Sequence, residues 1–293
     1  MISVSLQNRT KAFLAEDVGL SVSSLDFSSV GGGSINETYQ VLVNKKEKFF
    51  CKINSASQFP QMFQKEKSGL ELLATKKVIR VPAVIGHFIE TDQQVLLLEW
   101  VEQGHTSDRF WTLFGEQLAR LHSIPCSNAG LHENNYMGGL PQSNHPSGDW
   151  VDFFIHQRLE PQIRLALDKR LLQVQHQKQF KKLYKELSGI FPSGNLSLLH
   201  GDLWSGNYLC DHSGMPVLID PAVYQGHPAM DLAMTTLFGG FDPFFYKSYN
   251  HLLPFPVNYR QQWEICNLYP LLIHLNLFGK GYLQRIISLI KYY

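Results

Sequence analysis

Cysteine is scarce in this chain, and what there is lies scattered. Cys51, Cys126, Cys210 and Cys266 are far apart and form no Cys-x-x-Cys pair. That spacing points to neither a zinc site nor a disulfide framework. Net charge is nearly absent too: 26 Lys and Arg oppose 25 Asp and Glu, a formal +1. Without a broad positive field, nucleic acid is not expected as a partner. No apolar run is long enough to cross a bilayer, and Met1 to Lys11 lacks the apolar core of a signal peptide. The expectation is a cytoplasmic protein that does not engage a membrane. Histidine pairs at metal-ligand spacing are missing, which disfavours a metal-dependent hydrolase. Repeats and low-complexity tracts are also missing.

What remains is an ordinary globular composition. The 293 residues are 44% hydrophobic and 17% charged, which excludes a disordered chain. That length suits two compact lobes or one large α/β domain. Thr38 to Val43 alternates, with Tyr39, Val41 and Val43 on one face. Asn44 to Lys48 is a polar turn, and Phe49 to Ile53 continues as a second strand, which together make a hairpin signal. Phe59 to Lys77 carries Phe63, Leu70 and Leu73 at helical spacings, and Val95 to Trp100 reads as a strand. The first third therefore reads as strands around one helix.

Beyond Trp100 the pattern turns helical. Ser107 or Asp108 can cap a helix to about His122, with Phe110, Leu113, Phe114, Leu118 and Leu121 on one face. Asn128 to Asp149 is rich in Gly, Pro, Asn and Ser and reads as an ordered loop. Helices are expected over Asp152 to Leu167 and Leu171 to Ser188, short strands at Leu198-Leu199, Tyr208-Leu209 and Val217 to Ile219, and mainly helix from Asp231 onward. The simplest architecture is α+β and two-lobed: a strand-rich first lobe over 1–98, a hinge near Glu99 to Glu102, and a helical lobe completing 99–293.

The strongest chemical signal is His200-Gly201-Asp202-Leu203-Trp204-Ser205-Gly206-Asn207, followed by Leu218-Ile219-Asp220-Pro221. Phosphoryl transfer needs a carboxylate to orient and deprotonate a hydroxyl, and oxygen ligands to hold Mg²⁺ against phosphates. Asp202 suits the first need. Asn207 and Asp220 suit the second, with phosphate and water completing the Mg²⁺ shell. The order resembles a kinase catalytic loop and its metal-binding aspartate, with Asp220-Pro221-Ala222 in place of Asp-Phe-Gly. A polar turn between strands would account for either segment alone. Both together, in order and beside apolar strand residues, favour the catalytic reading.

Three further segments fall in kinase order. Gly31, Gly32, Gly33 and Ser34 form a Gly-rich turn before the hairpin, where backbone N–H groups can approach phosphate oxygens. It is no Walker A loop, since no Gly-Lys-Ser/Thr follows, and no Rossmann fingerprint, since a strand comes next. Lys52 stands in the apolar strand and needs a partner; Glu66 on the following helix would aim it at the ATP phosphates. Glu71 is on the same helix, but Glu66 precedes Leu70 by four residues and shares the face of Phe63 and Leu73. Leu96 to Val101 should form strand and hinge, with Glu99, Trp100 and Val101 at the adenine edge. His122 and His274 stand singly in helical stretches and read as core or capping residues, and Trp263 reads as packing.

These motifs resemble the fructosamine kinase (ketosamine-3-kinase) family. The resemblance rests on His200 to Asn207, Ile219 to Ala222, Gly226-His227, and Met230-Asp231-Leu232-Ala233-Met234-Thr235. Leu237 to Phe241, His274 to Gly279, Gly31 to Asn36 and Tyr136-Met137-Gly138-Gly139-Leu140-Pro141-Gln142 extend it over nearly the whole chain. It implies a protein-kinase-like fold and ATP-dependent, Mg²⁺-dependent phosphorylation of the 3-hydroxyl of a ketosamine, a sugar adduct on an amine. The 3-phosphate of such an adduct is prone to break down and free the amine, which implies deglycation. Asp202 carries over as the proton acceptor, Asn207 and Asp220 as Mg²⁺ ligands, and Lys52 with Glu66 as the phosphate-positioning pair. Trp204 could wall the sugar site, and Asp231 could brace the catalytic loop. Pro228-Ala229 and Val223 depart from the family pattern, outside the phosphoryl-transfer set. Fructosamine, ribulosamine and erythrulosamine adducts, free or protein-bound, stay open as substrates. The rival readings are an aminoglycoside- or choline-type small-molecule kinase and a nucleotide-binding pseudokinase.

Overall fold

A computed structural model describes residues 2–31, 35–192 and 196–293. Helix α1, Val4–Glu16, opens the chain and is capped by the Ser3 side chain, which accepts the Leu6 N–H. This helix lies outside the expected strands around one helix. Its buried stripe of Leu6, Phe13 and Leu14 is broken by buried Thr10, whose hydroxyl donates to the Leu6 carbonyl at 2.7 Å. A polar residue in the stripe hides the helical period.

Strands β1 (Leu25–Ser29), β2 (Glu37–Val43), β3 (Glu47–Ser55), β4 (Val84–Glu90) and β5 (Gln93–Glu99) form one antiparallel sheet in the order β1-β2-β3-β5-β4. Helix α2, Met62–Thr75, lies between β3 and β4 in the chain. Both sheet faces are covered. Val41, Cys51, Val95 and Leu97 pack with Leu6 and Leu14 of α1, whereas Leu96 and Leu98 pack with Phe63 and Leu70 of α2. Burial on two faces is why β5 reads as an unbroken apolar run. Lys52 stands directly opposite Leu96, so it shares the face turned toward α2.

The segment after β5 is tied to the second half of the chain. His212 N–H donates to the Glu102 carbonyl at 2.9 Å, and Gly104 N–H to the Cys210 carbonyl at 2.9 Å. Helix α3, Asp108–His122, follows with Ser107 as its cap. Short β6 (Pro125–Cys126) precedes a hairpin of β7 (Asn135–Met137) and β8 (Leu140–Gln142). The expected ordered loop over 128–149 thus contains this hairpin, which the sequence reading did not foresee. Its strands are three residues each and turn at Gly138-Gly139, too short for a period-2 signal.

Next come α4 (Trp150–Phe153), a wide π-helical turn (Phe154–Leu159), α5 (Glu160–Asp168) and α6 (Val174–Ile190). The expected single helix from Asp152 therefore starts earlier, at a cap where Asp149 accepts the Asp152 N–H. Strands β9 (Leu196–Leu199), β10 (Tyr208–Cys210), β11 (Pro216–Leu218) and β12 (Tyr224–Gly226) frame the motif loops. The chain ends in α7 (Ala229–Met234), α8 (Pro243–Leu252), α9 (Tyr259–Cys266), α10 (Leu268–Phe278) and α11 (Leu283–Ile290). Helix α10 is buried nearly all round, from Leu268 to Asn276, and forms the centre of this half. Among the described residues, no helix is long and apolar enough to cross a membrane.

Candidate active site

The floor of the cleft is charged. Lys52 is buried, with Nζ 2.8 Å from both carboxylate oxygens of Glu66 and 3.1 Å from Asp220 Oδ1. Burial works against the ammonium charge, but Asp220 and Glu66 outweigh it and raise the Lys52 pKa, so the lysine stays protonated. Glu71 instead pairs with Lys67 at 2.9 Å on the exposed side of α2. One helical face thus separates the two glutamates.

His200 to Asn207 forms a tight turn after β9, locked by its own polar groups. His200 is buried; Nε2 donates to the Ile219 carbonyl at 2.9 Å, and Nδ1 accepts the Asp202 N–H at 3.2 Å. These partners fix the tautomer, and burial lowers the His200 pKa, so the ring is neutral. Asp231 accepts the His200 N–H and the Gly201 N–H, both at 2.8 Å, and faces His122 Nε2 at 3.3 Å. Burial alone would push Asp231 up, but these donors more than offset it and hold its carboxyl below the usual range. His122 also contacts the Tyr249 hydroxyl at 2.9 Å, and it is a core residue as expected. Gly201 has φ +83°, and a Cβ there would lie 2.1 Å from the Ala222 carbonyl oxygen. Only glycine fits this crossing.

Asp202 and Asn207 meet across the turn. Asn207 Nδ2 donates to the Asp202 carbonyl at 2.8 Å and to Asp202 Oδ2 at 2.9 Å. Both partners are oxygens, so the amide nitrogen faces them. Asn207 Oδ1 and Asp202 Oδ1 then have no protein hydrogen-bond partner among the described residues. Burial and the charge of Asp220 push the Asp202 carboxyl up to about 7, against the Asn207 bond that lowers it. Asp220 takes φ +54°, a left-handed conformation that Asp tolerates better than most residues.

A free amide oxygen and a carboxylate that share one pocket are hard donors of the kind Mg²⁺ takes. Among the described residues, no group of three or more His, Cys, Asp or Glu could hold a metal alone. Asn207 and Asp220 therefore fit an ion that shares its shell with phosphate and water.

Around this floor stands an apolar and aromatic wall. Ile35, Met62, Tyr136, Met137, Trp204, Ile273, His274, Leu277 and Phe278 all line the same cleft as Lys52, Asp202, Asn207 and Asp220. The Trp204 ring lies over Gly206, where a Cβ would come within 2.4 Å of it, and meets Phe238 edge-on. His274 corrects an expectation: besides bonding the Pro270 carbonyl from Nδ1 at 2.7 Å, it lines the cleft and packs on Phe238 at 4.6 Å. Trp263 packs against Phe255 and Tyr259, as expected.

Gly31 is described and open on its Cβ side, while Gly32, Gly33 and Ser34 lie outside the described residues. Glu99 ends β5, and Glu99, Trp100 and Val101 do not line the cleft that holds Asp202. Met62 and Ile273 had no local motif to mark them, and Ile35 and Leu277 stood in stretches that carry the family resemblance without being singled out. Only the fold brings them to the cleft.

A five-stranded antiparallel sheet carrying a Lys–Glu pair, set over a helical half whose loops present Asp, Asn and Asp, defines the protein-kinase-like class. The aminoglycoside 2'-phosphotransferase-IIIa structure shares the fold, at a TM-score of 0.60 and 14% identity, with 98% of this chain covered and 96% of that one. Within this class the chain belongs to the fructosamine kinase family, whose family model matches residues 6–293. It is 40% identical over 264 residues to a probable ketoamine kinase of Synechocystis, with 90% of this chain and 88% of that protein covered. It is 35% identical over 273 residues to a chloroplastic protein-ribulosamine 3-kinase of Arabidopsis thaliana, covering 90% of this chain and 81% of the relative. A crystal structure of a candidate fructosamine-3-kinase from Haemophilus somnus superposes at a TM-score of 0.86 with 27% identity, covering 98% of this chain and 96% of the other.

Proposed function

We propose that this protein is an ATP-dependent ketosamine 3-kinase, phosphorylating the 3-hydroxyl of a fructosamine, ribulosamine or erythrulosamine adduct. The observation that carries the reading is the meeting of Lys52, Asp202, Asn207 and Asp220 in one cleft of a fructosamine kinase family chain. ATP would lie between a first lobe of residues 1–98 and a second of 99–293. Gly31 to Ser34 would approach its phosphates, and the backbone of Glu99 to Val101 its adenine. Lys52, held by Glu66, neutralises phosphate charge. Asn207 and Asp220 hold Mg²⁺, which supplies charge stabilisation at the transferring phosphoryl group when bound. Asp202 orients the substrate hydroxyl through its unshared Oδ1 and accepts its proton as the new O–P bond forms and the bond from the γ-phosphorus to the β–γ bridging oxygen breaks, with ADP as the leaving group. The site works mainly by position and charge.

The wall supports the substrate class. Glu66, Asp202 and Asp220 are the only carboxylates among the described lining residues, and all three belong to the charged floor. Among the described lining residues a polycationic aminoglycoside would find no carboxylate beyond them, whereas a sugar ring on an alkyl amine suits Trp204, Leu277 and Phe278. Loss of the amine from the 3-phosphate would make the role deglycation. A cytoplasmic setting suits the four unpaired cysteines. The test is ADP release from Mg-ATP with fructose-, ribulose- and erythrulose-lysine, beside kanamycin and choline. Turnover on at least one ketosamine alone is expected. Turnover on kanamycin or choline alone would overturn the substrate assignment, and Mg-ATP binding without any turnover would favour the pseudokinase.

A further inference from the structure

The segment Asp220-Pro221-Ala222-Val223 has little within itself to hold its shape. Asp220 is left-handed at φ +54°, and Pro221 has no N–H to give. Its near side is tied to the catalytic loop: Ile219 N–H donates to the Asn207 carbonyl at 3.1 Å and Ala222 N–H to the His200 carbonyl at 2.9 Å. Its far side is held by side chains with no part in the proposed chemistry. Gln142 Nε2 donates to the Ala222 carbonyl at 3.1 Å, and Asn135 Nδ2 donates to the Val223 carbonyl at 2.8 Å. Both come from the β7–β8 hairpin.

Those two amides are themselves fixed from behind. Asn135 Oδ1 accepts from Gln142 Nε2 at 2.8 Å and from Asn144 Nδ2 at 3.0 Å. Gln142 Oε1 accepts the Tyr269 hydroxyl at 2.8 Å. Asn144 Oδ1 accepts from Arg158 at 2.7 Å, and the same guanidinium bonds the Ser143 carbonyl. Arg158 is fully buried with no carboxylate partner among the described residues, and its guanidinium lies 4.0 Å from the Tyr224 ring centroid and 4.5 Å from that of Phe153. A buried cation held by rings and amide oxygens is an expensive way to fill space. It makes sense as the anchor of a rigid polar net.

The net also reaches the helix that carries Glu66. A Cβ on Gly69 of α2 would come within 3.1 Å of Val223 and 3.7 Å of Pro221, so α2 rests directly on the segment. Lys65, next to Glu66, pairs with Glu133 at 2.7 Å, and Asn144 Nδ2 holds the Glu133 carbonyl at 3.0 Å.

We propose that Gln142 and Asn135, anchored by Arg158 through Asn144, are positioning residues that hold the Asp220 segment and so aim its carboxylate at the metal. The inference rests on the reading of Asp220 as a Mg²⁺ ligand. It describes a site assembled by the fold itself, with the Asp220 segment braced against one hairpin, the catalytic loop tied to that segment and the Glu66 helix resting on it.

Mn²⁺ provides the test, because its binding to the ADP-saturated protein can be followed by electron paramagnetic resonance without turnover. Gln142→Leu is made in a Tyr269→Phe background, so that no hydroxyl is orphaned, and compared with Tyr269→Phe alone. Mn²⁺ affinity should fall roughly 10- to 100-fold, the usual result of losing an outer-shell partner. The kcat should fall with it while KM for the ketosamine holds. A lowered melting temperature with unchanged Mn²⁺ affinity would mean a merely structural net and overturn the proposal. If that variant does not fold, Asn144→Asp keeps Arg158 paired while removing the donor to Asn135. It must also weaken Mn²⁺ binding, and unchanged affinity would overturn the proposal. Asp220→Asn separates the two claims. Lost Mn²⁺ binding there, with Gln142→Leu unaffected, defeats only the positioning role. Retained binding in Asp220→Asn defeats the metal reading and this inference together.

Discussion

The charged floor of the cleft and its apolar wall are assembled in different ways. Asp202 and Asn207 stand five residues apart on one turn, Asp220 follows on the next loop, and Lys52 faces Glu66 from a neighbouring strand and helix. The wall takes Ile35 from before β2, Met62 from α2, Tyr136 and Met137 from β7, Trp204 from the catalytic loop and Ile273 to Phe278 from α10. Phosphoryl transfer needs a few charges at fixed separations, and short loops between strands provide them. On the proposed function, recognition of a sugar on an amine needs area, which distant elements would supply. On this account, changes to the floor alter turnover and changes to the wall alter substrate affinity.

The sharpest test of that division is Asp202→Ala. Removing the proton acceptor should lower kcat by about 10²- to 10⁴-fold in an ADP-release assay, with KM for ATP little changed. Gly201→Ala tests whether the floor depends on one backbone crossing. A left-handed φ and a Cβ driven into the Ala222 carbonyl should together destabilise the fold by about 2–4 kcal/mol, read as a fall in denaturant midpoint.

Asp231→Asn should cost about 1–3 kcal/mol, because an amide cannot accept at both positions and leaves a buried N–H unpaired. The sign of its pH dependence follows from the depressed carboxyl. Its stabilisation is complete above the unfolded value near 4 and is lost as pH falls through the lower folded value. The gap in melting temperature between wild type and Asp231→Asn should therefore narrow as pH drops below about 4. The smallest effect belongs to the wall: Trp204→Ala should raise KM for the ketosamine by roughly five- to tenfold, from the loss of one aromatic contact, with a lesser change in kcat. An unchanged KM in a stable Trp204→Ala protein would remove Trp204 from the sugar site.

The same contrast explains what could be read before the fold was known. Lys52 and Glu66 were legible because β3 and α2 have regular periods, which put one on the face toward α2 and the other beside Leu70. His200 to Asp220 was legible because its residues are local and their chemistry needs close spacing. The β7–β8 hairpin was not, since three-residue strands give no period and their register depends on Asn135, Gln142 and Asn144 bonding elsewhere. Helix α1 was hidden by Thr10 within its buried stripe. His274 read as a core or capping residue because it stands singly in a helical stretch; its place at the cleft depends on how α10 packs.

The central claim is transfer of phosphate to the 3-hydroxyl of a ketosamine, assisted by Asp202. ³¹P NMR of protein, Mg-ATP and fructose-lysine or ribulose-lysine tests it most directly. A phosphate on a secondary carbon couples to a single proton. The account predicts a new phosphomonoester doublet with ADP, absent with Asp202→Ala, that decays as free lysine amine appears. A triplet from a primary phosphate, or inorganic phosphate with ADP and no phosphomonoester at any time, would contradict it.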